Sequence, residues 1–215
     1  MRKIILFDLD GTLIESGEGI INSLKYAFQK MEREVPSSEE LRVFIGPPLL
    51  EQFMSYANFD LEEATQAVDY YHSRYKPIGL FEASPYEGIE DVLRELQQEG
   101  YELAVASSKP EELVKSALSH FKLSDYFTEI VGSSGELRTK GLVIEEALSR
   151  LSADKYQDKI IMVGDKEHDV LGAREESLDC LSVLYGYGTI EELEAVMPFK
   201  IVKSVTDLRN ELMIF

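Results

Sequence analysis

The residues that could do chemistry stand at the ends of apolar runs. Asp8 and Asp10 close the run Ile4-Ile5-Leu6-Phe7, and Gly11 and Thr12 follow at once. The two-residue period of a strand would turn both carboxylates to one side. There they repel each other unless a cation or a shared proton compensates. Gly11 permits a tight turn, and the amides and hydroxyl of Gly11 and Thr12 can point at an anion. The plainer alternative is a strand end with solvated acids and an ordinary Asp-Gly turn.

A second acidic group, Gly164-Asp165-Lys166-Glu167-His168-Asp169, ends another apolar run. Hard oxygen donors gathered at one point suit magnesium, which takes only one or two carboxylates directly and keeps several waters. A polar strand-to-helix loop is the competing reading, with His168 a loop histidine rather than a ligand or base. Ser107-Ser108-Lys109-Pro110 offers hydroxyls and helix amides to a phosphate, although Ser108 could equally be a helix cap. Lys140 precedes a helix expected to begin near Gly141, and on its own it reads as a solvated surface lysine.

These groups need a scaffold that brings distant loops together. Short apolar runs at Ile4 to Leu9, Leu103 to Ala106, Glu129 to Gly132, Ile160 to Gly164 and Cys180 to Leu184 have the pattern of strands buried on both faces. Amphipathic helical patterns alternate with them, which predicts an α/β fold with a doubly wound parallel sheet. Ile89, Val92, Leu93 and Leu96 repeat at helical spacing before Gly100, Pro110 suits the first turn of the next helix, and Thr189 with Glu192 has capping-box spacing. Open sheets of this kind place their sites at the carboxyl ends of the strands.

The alternation fails between the first strand and about residue 102. Ile20, Leu24, Phe28 and Met31 form a helical stripe there, Ser37 and Glu40 cap a second helix, and two more are expected over Leu49 to Tyr56 and Leu61 to Tyr75. The expected organisation is therefore a core of residues 1–14 and 82–215 interrupted by a helical insertion, residues 15–81.

Composition narrows the partners. With 215 residues the chain can bury a full core. Its net charge of −18 repels nucleic acid and anionic lipid, and no Lys/Arg run opposes that. Cys180, the single cysteine, excludes an internal disulfide and reads as a small buried hydrophobe. The opening apolar run stops at Asp8, too short for a signal peptide, and no stretch reaches the ~20 apolar residues of a membrane span. A cytoplasmic protein, monomer or homodimer, is expected.

Four motifs in order carry a family resemblance: Asp8-Leu9-Asp10-Gly11-Thr12, Ser107, Lys140 and Gly164-Asp165 with Asp169. The chain resembles the haloacid dehalogenase-like phosphatases. Phe44-Ile45-Gly46-Pro47-Pro48-Leu49, Tyr86-Glu87-Gly88-Ile89 and Tyr185-Gly186-Tyr187-Gly188 look like the phosphoglycolate phosphatase-like branch, in which a helical cap follows the first motif. It departs from that branch at Glu15, where Asp is common, at Gly141, where Pro is common, and at Ser177, where Gly is frequent.

The resemblance implies a magnesium-dependent hydrolase that cleaves a small-molecule phosphate monoester of the phosphoglycolate type through an aspartyl-phosphate on Asp8. Asp10 would be the general acid and base. The metal would be held by Asp8, the Asp10 carbonyl and Asp165, with Asp169 fixing a metal-bound water or orienting Lys140. Lys140 and Ser107, with groups near Gly11, Thr12 and Ser108, would hold the phosphoryl oxygens, and the cap would read the leaving group. A 5′-nucleotidase-like activity and, further off, a sugar phosphomutase are the alternatives.

Overall fold

The computed structural model describes every residue of the chain except Glu136 and Arg138. In the sequence Arg138-Thr139-Lys140, where the candidate lysine stands, Arg138 is therefore outside the described residues. Two compact units are present: Met1–Glu15 with Pro85–Phe215, and Ser16–Ser84.

In chain order, β1 (Lys3–Phe7) is followed by α1 (Gly17–Lys30), α2 (Leu49–Ser55) and α3 (Leu61–Tyr75). Then come α4 (Ile89–Gln98), β2 (Glu102–Pro110), α5 (Glu111–His120), β3 (Glu129–Ser133), α6 (Lys140–Arg150), β4 (Lys159–Gly164) and α7 (Glu167–Glu175). β5 (Asp179–Val183), α8 (Ile190–Val196), β6 (Lys200–Val202) and α9 (Val205–Ile214) complete the larger unit. Its six strands form one parallel sheet in the order β3-β2-β1-β4-β5-β6. The fold class is thus the α/β doubly wound sheet that the apolar runs predict. Strand order reverses between β1 and β4, and the crevice at such a reversal is where these sheets bind ligands.

The pleat assigns side chains to faces. Ile4 and Leu6 of β1, Ala104 and Ala106 of β2, Ile160 and Met162 of β4 and Cys180 of β5 pack beneath Val143, Ile144 and Ala147 of α6 and Val170 and Ala173 of α7. Asp8, two residues beyond Leu6, inherits that face, so it points toward α6. Cys180 is buried and free of any disulfide, as its apolar run predicts. Among the described residues no helix is long and apolar enough to cross a membrane.

In the smaller unit, α1 buries Ile20, Leu24 and Phe28, but Met31 of the expected stripe is only half-buried. Phe28 meets Phe44, Phe53 and Phe59 with ring centroids 5.6–6.2 Å apart. α3 opens on a capping box between Asp60 and Glu63.

Several boundaries differ from expectation. Ser37 and Glu40 do bond to each other, but they head a five-residue 3₁₀ helix, Glu40–Phe44, because Gly46-Pro47-Pro48 stops it before an α-helical turn is established. β1 ends at Phe7 rather than Leu9, and Pro110 is the residue before α5 rather than in its first turn. His168 lies in the first turn of α7, not in a loop. β6 and the two-residue strands Ile14–Glu15 and Ser84–Pro85 are too short to leave a periodic signal.

Five helices, α1, α4, α5, α6 and α7, end alike. Two residues past each one a left-handed residue, Glu32, Gly100, Lys122, Ser152 or Ser177, turns the chain. The next amide then reaches back to the helix, as Arg33 N does to Phe28 O at 3.0 Å and Leu178 N to Ala173 O at 2.8 Å.

Candidate active site

β1 delivers Asp8 to the carboxyl edge. Its amide still donates to Val163 O of β4 at 2.9 Å, so the ladder continues one residue past the strand. The chain then folds on itself, with Leu13 N and Ile14 N both donating to Leu9 O at 2.9 and 3.0 Å. Gly11 makes this possible at φ +82°, and a Cβ there would lie 2.1 Å from Asp165 Oδ2. Its amide donates to Ile14 O at 2.9 Å. Gly11 therefore serves the turn, and the expectation that its amide points at an anion does not hold in this arrangement.

Lys140 is the opposite of a surface lysine. Thr139 caps α6 by accepting from Leu142 N at 3.3 Å, which sets Lys140 as the first helical residue, and it is 5% exposed. Its Nζ donates to Asp8 Oδ1 at 2.5 Å and Ala106 O at 2.8 Å, and lies 2.7 Å from Asp169 Oδ1. The stem reaches the sheet edge by passing Gly172 of α7, where a Cβ would stand 2.8 Å from Lys140 Cβ and Cγ.

The end of β4 delivers Asp165, and the first turn of α7 brings Asp169. Asp165 Oδ2 accepts from Tyr187 N at 2.7 Å, while Asp169 Oδ2 accepts from the amides of Asp165 and Lys166 at 3.1 and 3.0 Å. Carboxylate oxygens of Asp8, Asp165 and Asp169, all buried, lie within 4.8 Å of one another. The expected strand ends thus do meet at one point.

The electrostatics of this cluster are unbalanced. Burial, and then repulsion from Asp169 and Asp8, pushes the Asp165 carboxyl well above the ordinary carboxylate range. Burial likewise raises Asp8, against the opposing pull of Lys140. At Asp169 burial pushes upward too, but Lys140 and His168 outweigh it and hold the carboxyl low. The ammonium of Lys140 is lowered by burial and raised more strongly by Asp169 and Asp8, so it stays charged. Three buried carboxylates therefore face one buried ammonium. Oxygen donors with excess negative charge in a dry site are the chemistry a hard divalent cation satisfies, so the residues fit magnesium.

The remaining expected residues separate into two groups. Thr12 is fully buried with its Oγ1 unpartnered among the described residues, and Ser107, near the end of β2, is buried as well and accepts from Lys109 N at 3.3 Å. Ser108 is exposed and does not cap α5, whose cap residue is Pro110. The Asp10 carboxylate stands apart from the three-acid cluster and pairs with Lys109, Nζ to Oδ1 2.7 Å.

Four residues with clear roles here were given none by sequence reasoning: Lys109, Gly186 and Tyr187, which appear there only inside longer motifs, and Gly172, which does not appear. Gly186 admits the Asp165 side chain, since a Cβ there would be 2.5 Å from Asp165 Oδ2. Tyr187 donates its amide to Asp165 and its hydroxyl to Glu15 Oε1 at 3.2 Å. The Tyr185-Gly186-Tyr187-Gly188 pattern was a usable signal for Gly186 and Tyr187, and the Ser107-Ser108-Lys109-Pro110 segment for Lys109; Gly172 carried none.

Comparison with known proteins agrees with this geometry. Residues 5–183 match the haloacid dehalogenase-like hydrolase family. A crystal structure of a "predicted phosphatase" from Clostridium acetobutylicum superposes with a TM-score of 0.93 at 44% identity, covering 100% of both chains. A 5′-nucleotidase of Pseudomonas aeruginosa is 37% identical over 210 residues, 97% of this chain and 94% of that protein. Tyrosine-protein kinase PtkA of Mycobacterium tuberculosis is 32% identical over 214 residues, 98% of this chain and 72% of that protein. With the Asp8, Lys140 and Asp165–Asp169 motifs meeting at the sheet edge and relatives spanning nearly its whole length, the chain belongs to the haloacid dehalogenase-like hydrolases and is an enzyme of their phosphatase class.

Proposed function

We propose that the enzyme hydrolyses a small-molecule phosphate monoester through an aspartyl-phosphate on Asp8, with magnesium as its cofactor. The observation that carries this reading is the junction of Asp8, Asp165, Asp169 and Lys140, four groups from three separate stretches of the chain, in one buried site.

The Asp8 oxygen not taken by Lys140 attacks phosphorus, and the bond from phosphorus to the ester oxygen breaks. Asp10, protonated, gives its proton to the departing alkoxide. Asp10 as carboxylate then takes a proton from water, whose oxygen attacks phosphorus, and the acyl phosphate opens to free phosphate and Asp8. Splitting one displacement into two is the gain from covalent catalysis. Thr12 Oγ1, Ser107 and Lys140 hold phosphoryl oxygens, and their fixed placement supplies the electrostatic part of the rate. When held by Asp8, Asp165 and the Asp10 carbonyl, Mg²⁺ offsets the repulsion between a carboxylate nucleophile and a phosphate dianion. Asp169, with one oxygen on two amides and the other at Lys140, orients the lysine.

The helical unit, residues 16–84, is the part to which we assign choice of leaving group. Phosphoglycolate is the first candidate by motif resemblance. A nucleoside 5′-monophosphate is the second, favoured by the 37% identity to a 5′-nucleotidase. A panel of phosphate esters assayed for released phosphate with Mg²⁺ and with EDTA tests the reading, with ATP plus a tyrosine peptide as the control suggested by PtkA. Release of phosphate only with metal, lost in Asp8→Asn, is the expected result. Turnover retained in Asp8→Asn overturns the mechanism.

A further inference from the structure

Lys109 is aimed at Asp10 by a fault in the sheet. β2 and β3 pair in register up to Ser107 opposite Gly132, and then the register slips so that Pro110 faces Ser133. Ser108 and Lys109 are the extra residues, and a bulge of this kind re-aims a side chain that regular pleating would send elsewhere. Gly132 is what lets the bulge close: a Cβ there would lie 2.5 Å from Lys109 O and 2.6 Å from Glu111 N. Ser107 Oγ steadies the inside of the bulge by accepting from Lys109 N at 3.3 Å.

The outcome is an ion pair that is mostly withdrawn from water, with the Lys109 and Asp10 side chains 9% and 19% exposed. Asp10 itself lies just before the Gly11 turn, bridged to Ile14, and its carboxylate takes Lys109 Nζ at 2.7 Å. Lys109 holds Oδ1 and leaves Oδ2 as the oxygen that carries or receives the proton.

We propose that Lys109 is a positioning residue for Asp10, fixing the carboxyl group so that Oδ2 faces the leaving oxygen. This rests on the assignment of Asp10 as acid and base made above. It deepens that assignment by predicting where the enzyme is sensitive: esters whose leaving oxygen needs a proton depend on Lys109, and esters of acidic phenols do not need it to the same degree.

The test compares 4-nitrophenyl phosphate with an alkyl ester, phosphoglycolate or adenosine 5′-monophosphate, whichever the wild type hydrolyses faster, in Lys109→Met, Lys109→Arg and Asp10→Asn. Since acid–base help is worth about 10²–10⁴-fold, Lys109→Met should lower the ratio of alkyl-ester kcat to nitrophenyl-ester kcat by roughly tenfold or more, with KM little changed. Lys109→Arg should recover most of that ratio, and it carries the test if Lys109→Met does not fold by circular dichroism. Equal losses on both esters, no loss, or a raised KM with kcat preserved would each overturn the proposal, the last by making Lys109 a substrate anchor. If Asp10→Asn itself shows no leaving-group dependence, the acid–base assignment fails instead, and the positioning role falls with it.

Discussion

Two charged clusters sit at opposite edges of the same sheet and behave in opposite ways. At the amino edge, Arg2 donates to Asp158 through Nε and Nη2 at 3.1 and 2.7 Å, to Glu102 at 3.2 Å, and to the carbonyls of Leu151 and Ser152 at 3.0 and 2.7 Å. Its guanidinium, together with amides of Asp154 and Arg2, holds the Asp158 carboxyl down at about 2. At the carboxyl edge, burial and mutual repulsion push Asp8 and Asp165 up instead. Where the groups are partly wet and a guanidinium reaches both carboxylates and two carbonyls, they fasten loops. Where they are dry and three carboxylates face one ammonium, Asp8 and Asp165 are held above their ordinary range, which is the cost the proposed function would explain.

That contrast yields predictions that can break it. The largest effect is expected for Asp8→Asn, which should cut turnover by roughly 10⁴-fold or more. The same change relieves an acid that burial disfavours, so the thermal midpoint should hold or rise. Lys140→Met should also inactivate and, unlike Asp8→Asn, destabilise by about 3–5 kcal/mol, because it leaves buried carboxylates without their cation; urea unfolding of the two variants side by side reads the difference.

Adding Mg²⁺ to metal-stripped enzyme should raise its thermal midpoint, by about 2.7 kcal/mol of stability at a hundredfold excess over Kd. Asp165→Asn should abolish the increment, and an equal rise in that variant would remove Asp165 from the metal site. The smallest effect belongs to the amino edge. Asp158→Asn should keep full activity and lower the thermal midpoint. Because the folded Asp158 carboxyl titrates below its unfolded value of about 4, its contribution is complete above that pH and fades as pH falls toward 2. Wild type and Asp158→Asn should therefore converge in stability across that acid window.

Much of this arrangement could be read along the chain, and what could not has physical reasons. Asp8 was legible because Ile4 to Phe7 is an unbroken apolar run, and Asp165 because Ile160 to Gly164 is another. Lys140 looked like a surface lysine in isolation, since its burial depends on Gly172, thirty-two positions away, and on the carbonyl of Ala106. Lys109 was hidden for a different reason: its direction comes from a register slip opposite Gly132, a property of two strands that no single segment displays. β6 escaped notice because three residues are too few to show a period.

The shared ending of five helices has a consequence for engineering. Only α4 uses glycine at the left-handed position, while Glu32, Lys122, Ser152 and Ser177 occupy it at φ 50–61°, a conformation that costs an L-residue about 1–2 kcal/mol. Glycine at each would recover that strain less the ~0.5–1 kcal/mol it adds in chain entropy. None of the four is among the residues assigned to the chemistry above, so the enzyme carries an unused margin of heat tolerance that can be drawn on without altering its catalytic edge.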